Sequence, residues 1–124
     1  MSNIKKRLIL VVHGSRDRAW LLPFKKLEHM LKEDLGENTV RLACMQFVSP
    51  TIEETVEEAV NGGIFNLSFL PLFMSTGGHV ERDIPLKIKS LKDRWPDLNI
   101  EILPPLGEHP KFIQLVREIV KEAL

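Results

Sequence analysis

The chain has 124 residues, 44% of them apolar and 27% charged, a balance that suits one folded unit in water. Seventeen basic residues match seventeen acidic ones, which removes the clustered positive charge that non-specific nucleic-acid binding runs on and leaves no net repulsion against self-association. The single Cys44 excludes an internal disulfide, and no apolar run approaches the ~18 residues that span a bilayer, so the expectation is one cytoplasmic domain over residues 1–124 with no membrane partner.

Apolar and amphipathic segments then alternate. Lys5-Lys6-Arg7 leads straight into Leu8–Val12, with no small-residue cleavage site of the signal-peptide kind, and that continuous run reads as a strand buried on both faces. Trp20, Phe24, Leu27, Leu31 and Leu35 recur at steps of three and four, predicting a helix with Pro23 in its first turn and Gly36 just past its end. Val40–Phe47 is a second, more mixed strand. Ser49-Pro50-Thr51 supplies the next helix start, with Ser49 as N-cap and Pro50 as first helical residue. Ile52, Val56, Ala59 and Val60 form its inner stripe, and Gly62-Gly63 stop it.

The third strand, Ile64–Phe73, is the most apolar. A loop follows to Asp83, the expected N-cap of a third helix with Pro85 in its first turn and Ile84, Ile88, Leu91 and Trp95 facing inward. Ile100–Leu103 makes a short fourth strand. The last helix starts near Pro110 and carries the cleanest stripe: Phe112, Leu115, Val116, Ile119 and Val120.

Four strand–helix units with continuously apolar strands predict an α/β fold, a three-layer doubly wound parallel sheet of four strands in the order 2-1-3-4. Ligands of such sheets sit beyond the carboxyl ends of the strands at the point where the order reverses, here after strands 1 and 3. Both loops hold a histidine beside glycine: His13-Gly14 after the first strand, Gly77-Gly78-His79 after the third. Two imidazoles facing across a rim crevice suit a borderline divalent metal or proton transfer. Arg16, Arg18 and Arg82 lie in the same loops and suit ligand carboxylates. His109 suffices as a cap for the last helix, His29 reads as a surface residue, and Cys44 as a small buried hydrophobe. Dinucleotide, Walker A and Cys-x-x-Cys zinc patterns are absent.

Val11-Val12-His13-Gly14-Ser15-Arg16-Asp17, Pro71-Leu72-Phe73 with Gly78-His79-Val80 and Asp83-Ile84-Pro85, and Leu106-Gly107-Glu108-His109-Pro110 together resemble the class II tetrapyrrole chelatases, specifically the small CbiX type. The resemblance runs across nearly the whole chain. It implies a chelatase-like fold and a lyase that inserts Co²⁺ or Fe²⁺ (Ni²⁺ in some relatives) into sirohydrochlorin, towards cobalamin or sirohaem, with the metal as substrate and no organic cofactor. It further implies that His13 and His79 bind the metal and accept protons, that Ser15, Arg16, Gln46, Gly78 and Arg82 line the tetrapyrrole site, and that the chain is a homodimer. One position departs: Gln46 stands where many relatives carry a glutamate, leaving a neutral carbonyl oxygen in place of a charged ligand. Two other readings remain. A His-Gly pair after a first strand also opens the histidine phosphatases, but these want arginine where Val12 stands. A metal- or tetrapyrrole-binding protein that kept the fold without turnover is the other, with Gln46 as its clue.

Overall fold

An apolar run such as Leu8–Val12 must be covered by protein on both faces, and it becomes an inner strand of a four-stranded sheet. In the computed structural model, which describes residues 5–75 and 79–124 (without the side chains of residues 79–82), the chain order is β1 (Lys6–Val12), α1 (Arg18–Leu35), β2 (Val40–Cys44), α2 (Ile52–Asn61), β3 (Asn66–Pro71), α3 (His79–Arg94), β4 (Asn99–Ile102), a 3₁₀ turn (Leu106–Glu108) and α4 (Pro110–Ala123). The strands pair in parallel in the order β2-β1-β3-β4, as the alternation of elements predicts. Register runs from Leu8↔Val40 to Val12↔Cys44 on one side of β1 and from Lys6↔Asn66 to Val11↔Pro71 on the other, while Phe69 faces Ile102 across β3 and β4.

The period-two alternation of side chains divides the core. Ile9, Val11, Ala43, Leu67 and Phe69 meet Ile52, Val56 and Ala59 of α2 and Ile84 and Leu91 of α3. Leu10, Val12, Val40, Leu42 and Cys44 point the other way, towards Leu21 of α1 and the flanking Trp20, Phe24 and Leu31. Each of the fully buried aliphatic side chains contributes about 1.5–3 kcal/mol by leaving water.

Helix starts differ from the sequence reading where two start signals compete. Thr51, not Ser49, caps α2: its hydroxyl accepts the Glu54 N–H at 3.1 Å, the Thr-x-x-Glu pattern of a capping box. Ser49 donates its hydroxyl to the Glu54 carboxylate at 2.8 Å, and Pro50, behind a cis Ser49–Pro50 bond, lies outside the helix. Asp17 caps α1 by accepting the Ala19 N–H at 3.0 Å, so Pro23 falls beyond the first turn. α3 begins at His79, which makes Asp83 an interior residue rather than the cap and puts Pro85 inside the helix. Along α1 the buried residue is Leu21; Leu27 and Leu35, expected to face the core, are exposed.

The largest departure is α4. Its apolar stripe is present, but no residue of the helix is buried, and its principal contact is the 3₁₀ turn just before it. Leu115, Val116, Ile119 and Val120 each keep 42–54% of their surface in solvent.

Candidate functional site

β1 and β3 end side by side, and the ladder continues past both: Leu72 donates its N–H to the Val11 carbonyl at 2.8 Å. This brings Phe73 against the first residue beyond β1. The exposed His13 imidazole stacks on the Phe73 ring with centroids 4.0 Å apart and planes at 27°, and Phe73 itself is 4% exposed. A buried phenyl floor therefore fixes the imidazole by one face. No hydrogen bond to its nitrogens occurs among the described residues, so both remain for a ligand or a proton.

The exit of β2 is tied to the same place. Met45 donates to the Val12 carbonyl at 2.8 Å and Gln46 to the His13 carbonyl at 3.2 Å. Gly14, at φ +97°, makes that approach possible: a Cβ there would lie 2.0 Å from the Gln46 carbonyl oxygen. Beyond Gln46 the chain reverses in a γ-turn. Phe47 has φ +75°, and Val48 donates its N–H to the Gln46 carbonyl at 3.0 Å. From the β1 loop, the Arg16 guanidinium lies over the Phe47 ring, 5.3 Å from its centroid. Ser15 accepts the Asp17 N–H through its hydroxyl at 3.0 Å, which leaves the hydroxyl proton to donate.

Of the residues singled out from sequence, the structure thus brings His13, Ser15, Arg16 and Gln46 together where β1 and β2 leave the sheet. His79 is the first residue of α3, reached from β3; its side chain and that of Arg82 lie outside the described residues, as does Gly78. Among the described residues no three His, Cys, Asp or Glu side chains gather as a metal cage. His109 caps α4, its Nδ1 accepting the Lys111 N–H at 3.1 Å, and His29 is exposed beside Glu33. Cys44 is fully buried, and burial pushes its thiol pKa up, only partly opposed by Lys25.

Two residues escaped the sequence reading. Phe73 looked like the last residue of a strand, and only the β1–β3 register makes it the floor under His13. Nothing in the composition of the Gln46–Val48 stretch signals a positive φ at an aromatic. The fourth strand's exit joins the same rim: Gly107 donates to the Phe73 carbonyl at 2.9 Å, and a Cβ on it would lie 1.9 Å from the Met74 carbonyl oxygen.

The CbiX family model matches residues 7–123. A sirohydrochlorin cobaltochelatase from Methanopyrus kandleri is 30% identical, the match covering 94% of this chain and 96% of the relative. A crystal structure of a CbiX protein from Marinobacter aquaeolei superposes with a TM-score of 0.84 at 30% identity, covering 96% of this chain and 94% of that one. The sirohydrochlorin chelatase SirB from Bacillus subtilis subspecies spizizenii, solved in complex with cobalt, shares the fold at TM-score 0.80 and 24% identity; this chain spans 50% of its length.

Proposed function

The chain belongs to the CbiX family, and on that premise we propose that it is a sirohydrochlorin chelatase, a lyase that inserts Co²⁺ or Fe²⁺ into the tetrapyrrole on a route to cobalamin or sirohaem. The observation that carries the reading is His13: an imidazole at the carboxyl rim of a switch-point strand, held by stacking on Phe73, with nitrogens that no described residue engages. Such a group can offer a neutral nitrogen to a borderline metal ion that keeps open positions for water or substrate.

In the proposed mechanism His13 and His79 hold the incoming metal substrate. As it enters the macrocycle two pyrrole N–H protons leave, and the two imidazoles released from the metal accept one each. Arg16 and Arg82 meet the peripheral carboxylates, with the Ser15 hydroxyl and the Gly78 N–H as further donors. Gln46 offers its carbonyl oxygen beside His13 without adding charge. No organic cofactor enters the reaction.

We further propose a homodimer of single-domain chains, a membrane-free complex of the cytoplasm. The uncovered apolar face of α4 supports the dimer, as does a cobalt-bound relative about twice as long. No helix among the described residues is long and apolar enough to cross a membrane.

The experiment is an anaerobic absorbance assay with sirohydrochlorin and each of Co²⁺, Fe²⁺ and Ni²⁺. The parent should turn over many times with at least one metal, and His13→Ala and His79→Ala should each lose insertion with an unchanged circular dichroism spectrum. A His13→Ala chain working within two-fold of the parent would exclude imidazole ligation. The neutral Gln46 favours one second reading, a binding protein without turnover, which would instead give a single stoichiometric binding event.

A further inference from the structure

Phe47 is unfavourable to the fold twice over. An L-aromatic residue rarely adopts φ +75°, and asparagine or glycine would do so with less strain. The residue is also 58% exposed, although a phenyl group gains most by leaving water. Neither feature comes from slack in the chain. Gln46 is fastened to the His13 carbonyl on one side, and on the other Val48 packs against the core cluster of Leu10, Val12 and Leu42. With both neighbours fixed, the γ-turn holds the Phe47 ring outward at the rim, next to the His13 loop, where Arg16 reaches over it. Backbone strain and exposed aromatic surface at one residue beside a candidate site point to a ligand that uses them.

We propose that Phe47 is a substrate-binding residue, a stacking platform for one face of the tetrapyrrole, with Arg16 poised above it as the cation for a peripheral carboxylate. The inference rests on the chelatase reading for the identity of the ligand. A flat conjugated macrocycle edged with carboxylates needs what this pair presents: an aromatic face, and a planar guanidinium beside it. The Arg16–Phe47 contact, at 5.3 Å, is a cation–π contact. Arrival of the macrocycle exchanges that contact for ring on ring and guanidinium on carboxylate. The platform also sets the angle at which the macrocycle approaches His13, because Gln46, one residue before it, is hydrogen-bonded to the His13 carbonyl.

The test is a titration of metal-free sirohydrochlorin into the parent, Phe47→Asn and Phe47→Tyr, followed by tetrapyrrole fluorescence anisotropy, with Co²⁺ affinity measured separately without tetrapyrrole. Asparagine tolerates the positive φ and removes the ring, so Phe47→Asn should melt no lower than the parent yet bind the tetrapyrrole about ten-fold more weakly. Phe47→Tyr should stay within two-fold. Co²⁺ affinity should not move in either. Equal tetrapyrrole binding by Phe47→Asn and the parent overturns the platform, as does an equal loss of Co²⁺ affinity or a change in oligomeric state, which would make Phe47 a packing or copy-contact residue. If the parent binds sirohydrochlorin, weakens on Phe47→Asn and inserts no metal, the platform stands and only the chelatase reading falls. If the parent binds no tetrapyrrole, both fall.

Discussion

Gly14→Ala tests the claim that the loops after β1 and β2 are locked in contact. Two separate effects act at Gly14, and two other glycines each isolate one of them. Gly63 has φ +77° with nothing within 4 Å of an added Cβ, so alanine there meets only the backbone penalty. That penalty is about 1–2 kcal/mol, less ~0.4–1 kcal/mol because alanine also restricts the unfolded chain, leaving a net loss near ~1 kcal/mol. Gly107 has no positive φ, but its added Cβ would lie 1.9 Å from the Met74 carbonyl oxygen, a collision with backbone that should cost about 2 kcal/mol, in the range of overpacking. Gly14 combines φ +97° with a Cβ 2.0 Å from the Gln46 oxygen and 3.3 Å from the Cys44 Cβ, so about 3 kcal/mol is expected. A chain of this length has an unfolding entropy near ~0.26 kcal/mol per kelvin. Thermal melts followed by circular dichroism should therefore fall by ~4 °C for Gly63→Ala, ~8 °C for Gly107→Ala and ~12 °C for Gly14→Ala. Should Gly14→Ala melt no lower than Gly63→Ala, the Gln46 carbonyl is not where the loop contact requires it, and the coupling of Gln46 to His13 fails with it.

Gln46→Glu adds a charged oxygen beside His13 and should tighten Co²⁺ binding about ten-fold by isothermal calorimetry; an unchanged affinity would mean that this side chain does not face the ion. The parent should scatter light as about twice the 14.2 kDa protomer, and Val116→Asp with Ile119→Asp should yield folded monomer, since neither side chain is buried in the protomer; a parent that is already monomeric at micromolar concentration removes the dimer. Cys44 should resist Ellman's reagent in the native state. Because burial raises its folded pKa, its contribution to stability is complete below the ordinary thiol range near ~8.5 and drains away as pH rises through the folded value, so the urea midpoint should drop in alkali and Cys44→Ala should flatten that drop.

The strands and their order were legible because burial on both faces forces continuous apolar runs, and Leu8–Val12 or Ile64–Phe73 admit few other uses. His13 was legible for a related reason: a polar residue directly after such a run must leave the sheet at its carboxyl rim. Ends of helices were less so. Ser49-Pro50 and Asp83–Pro85 both carry the chemistry of a first turn, yet the hydrogen bond that the Thr51 hydroxyl accepts from the Glu54 N–H and an early start at His79 decide otherwise. The stripe of α4 told that a face needs covering, without telling that the protomer leaves it open. Phe73 under His13 depends on register between segments some sixty residues apart, which no local pattern encodes. The turn at Phe47 is set by its neighbours' hydrogen bonds rather than by its own preference.

The place of β1 between β2 and β3 also governs how the chain reaches this structure. Leu8 pairs with Val40 on one side and Ser68 on the other, so the first strand made has no complete set of partners until the third has been synthesised. Ribosomes add ~5–20 residues per second, so an unprotected Leu-Ile-Leu-Val-Val segment persists for seconds, long enough for self-association or chaperone capture. Pairings of such long sequence separation place folding in the slow range of mixed α/β domains. Substitutions that weaken β3 should therefore show first as lost yield in the cell, before any loss of stability in the purified protein.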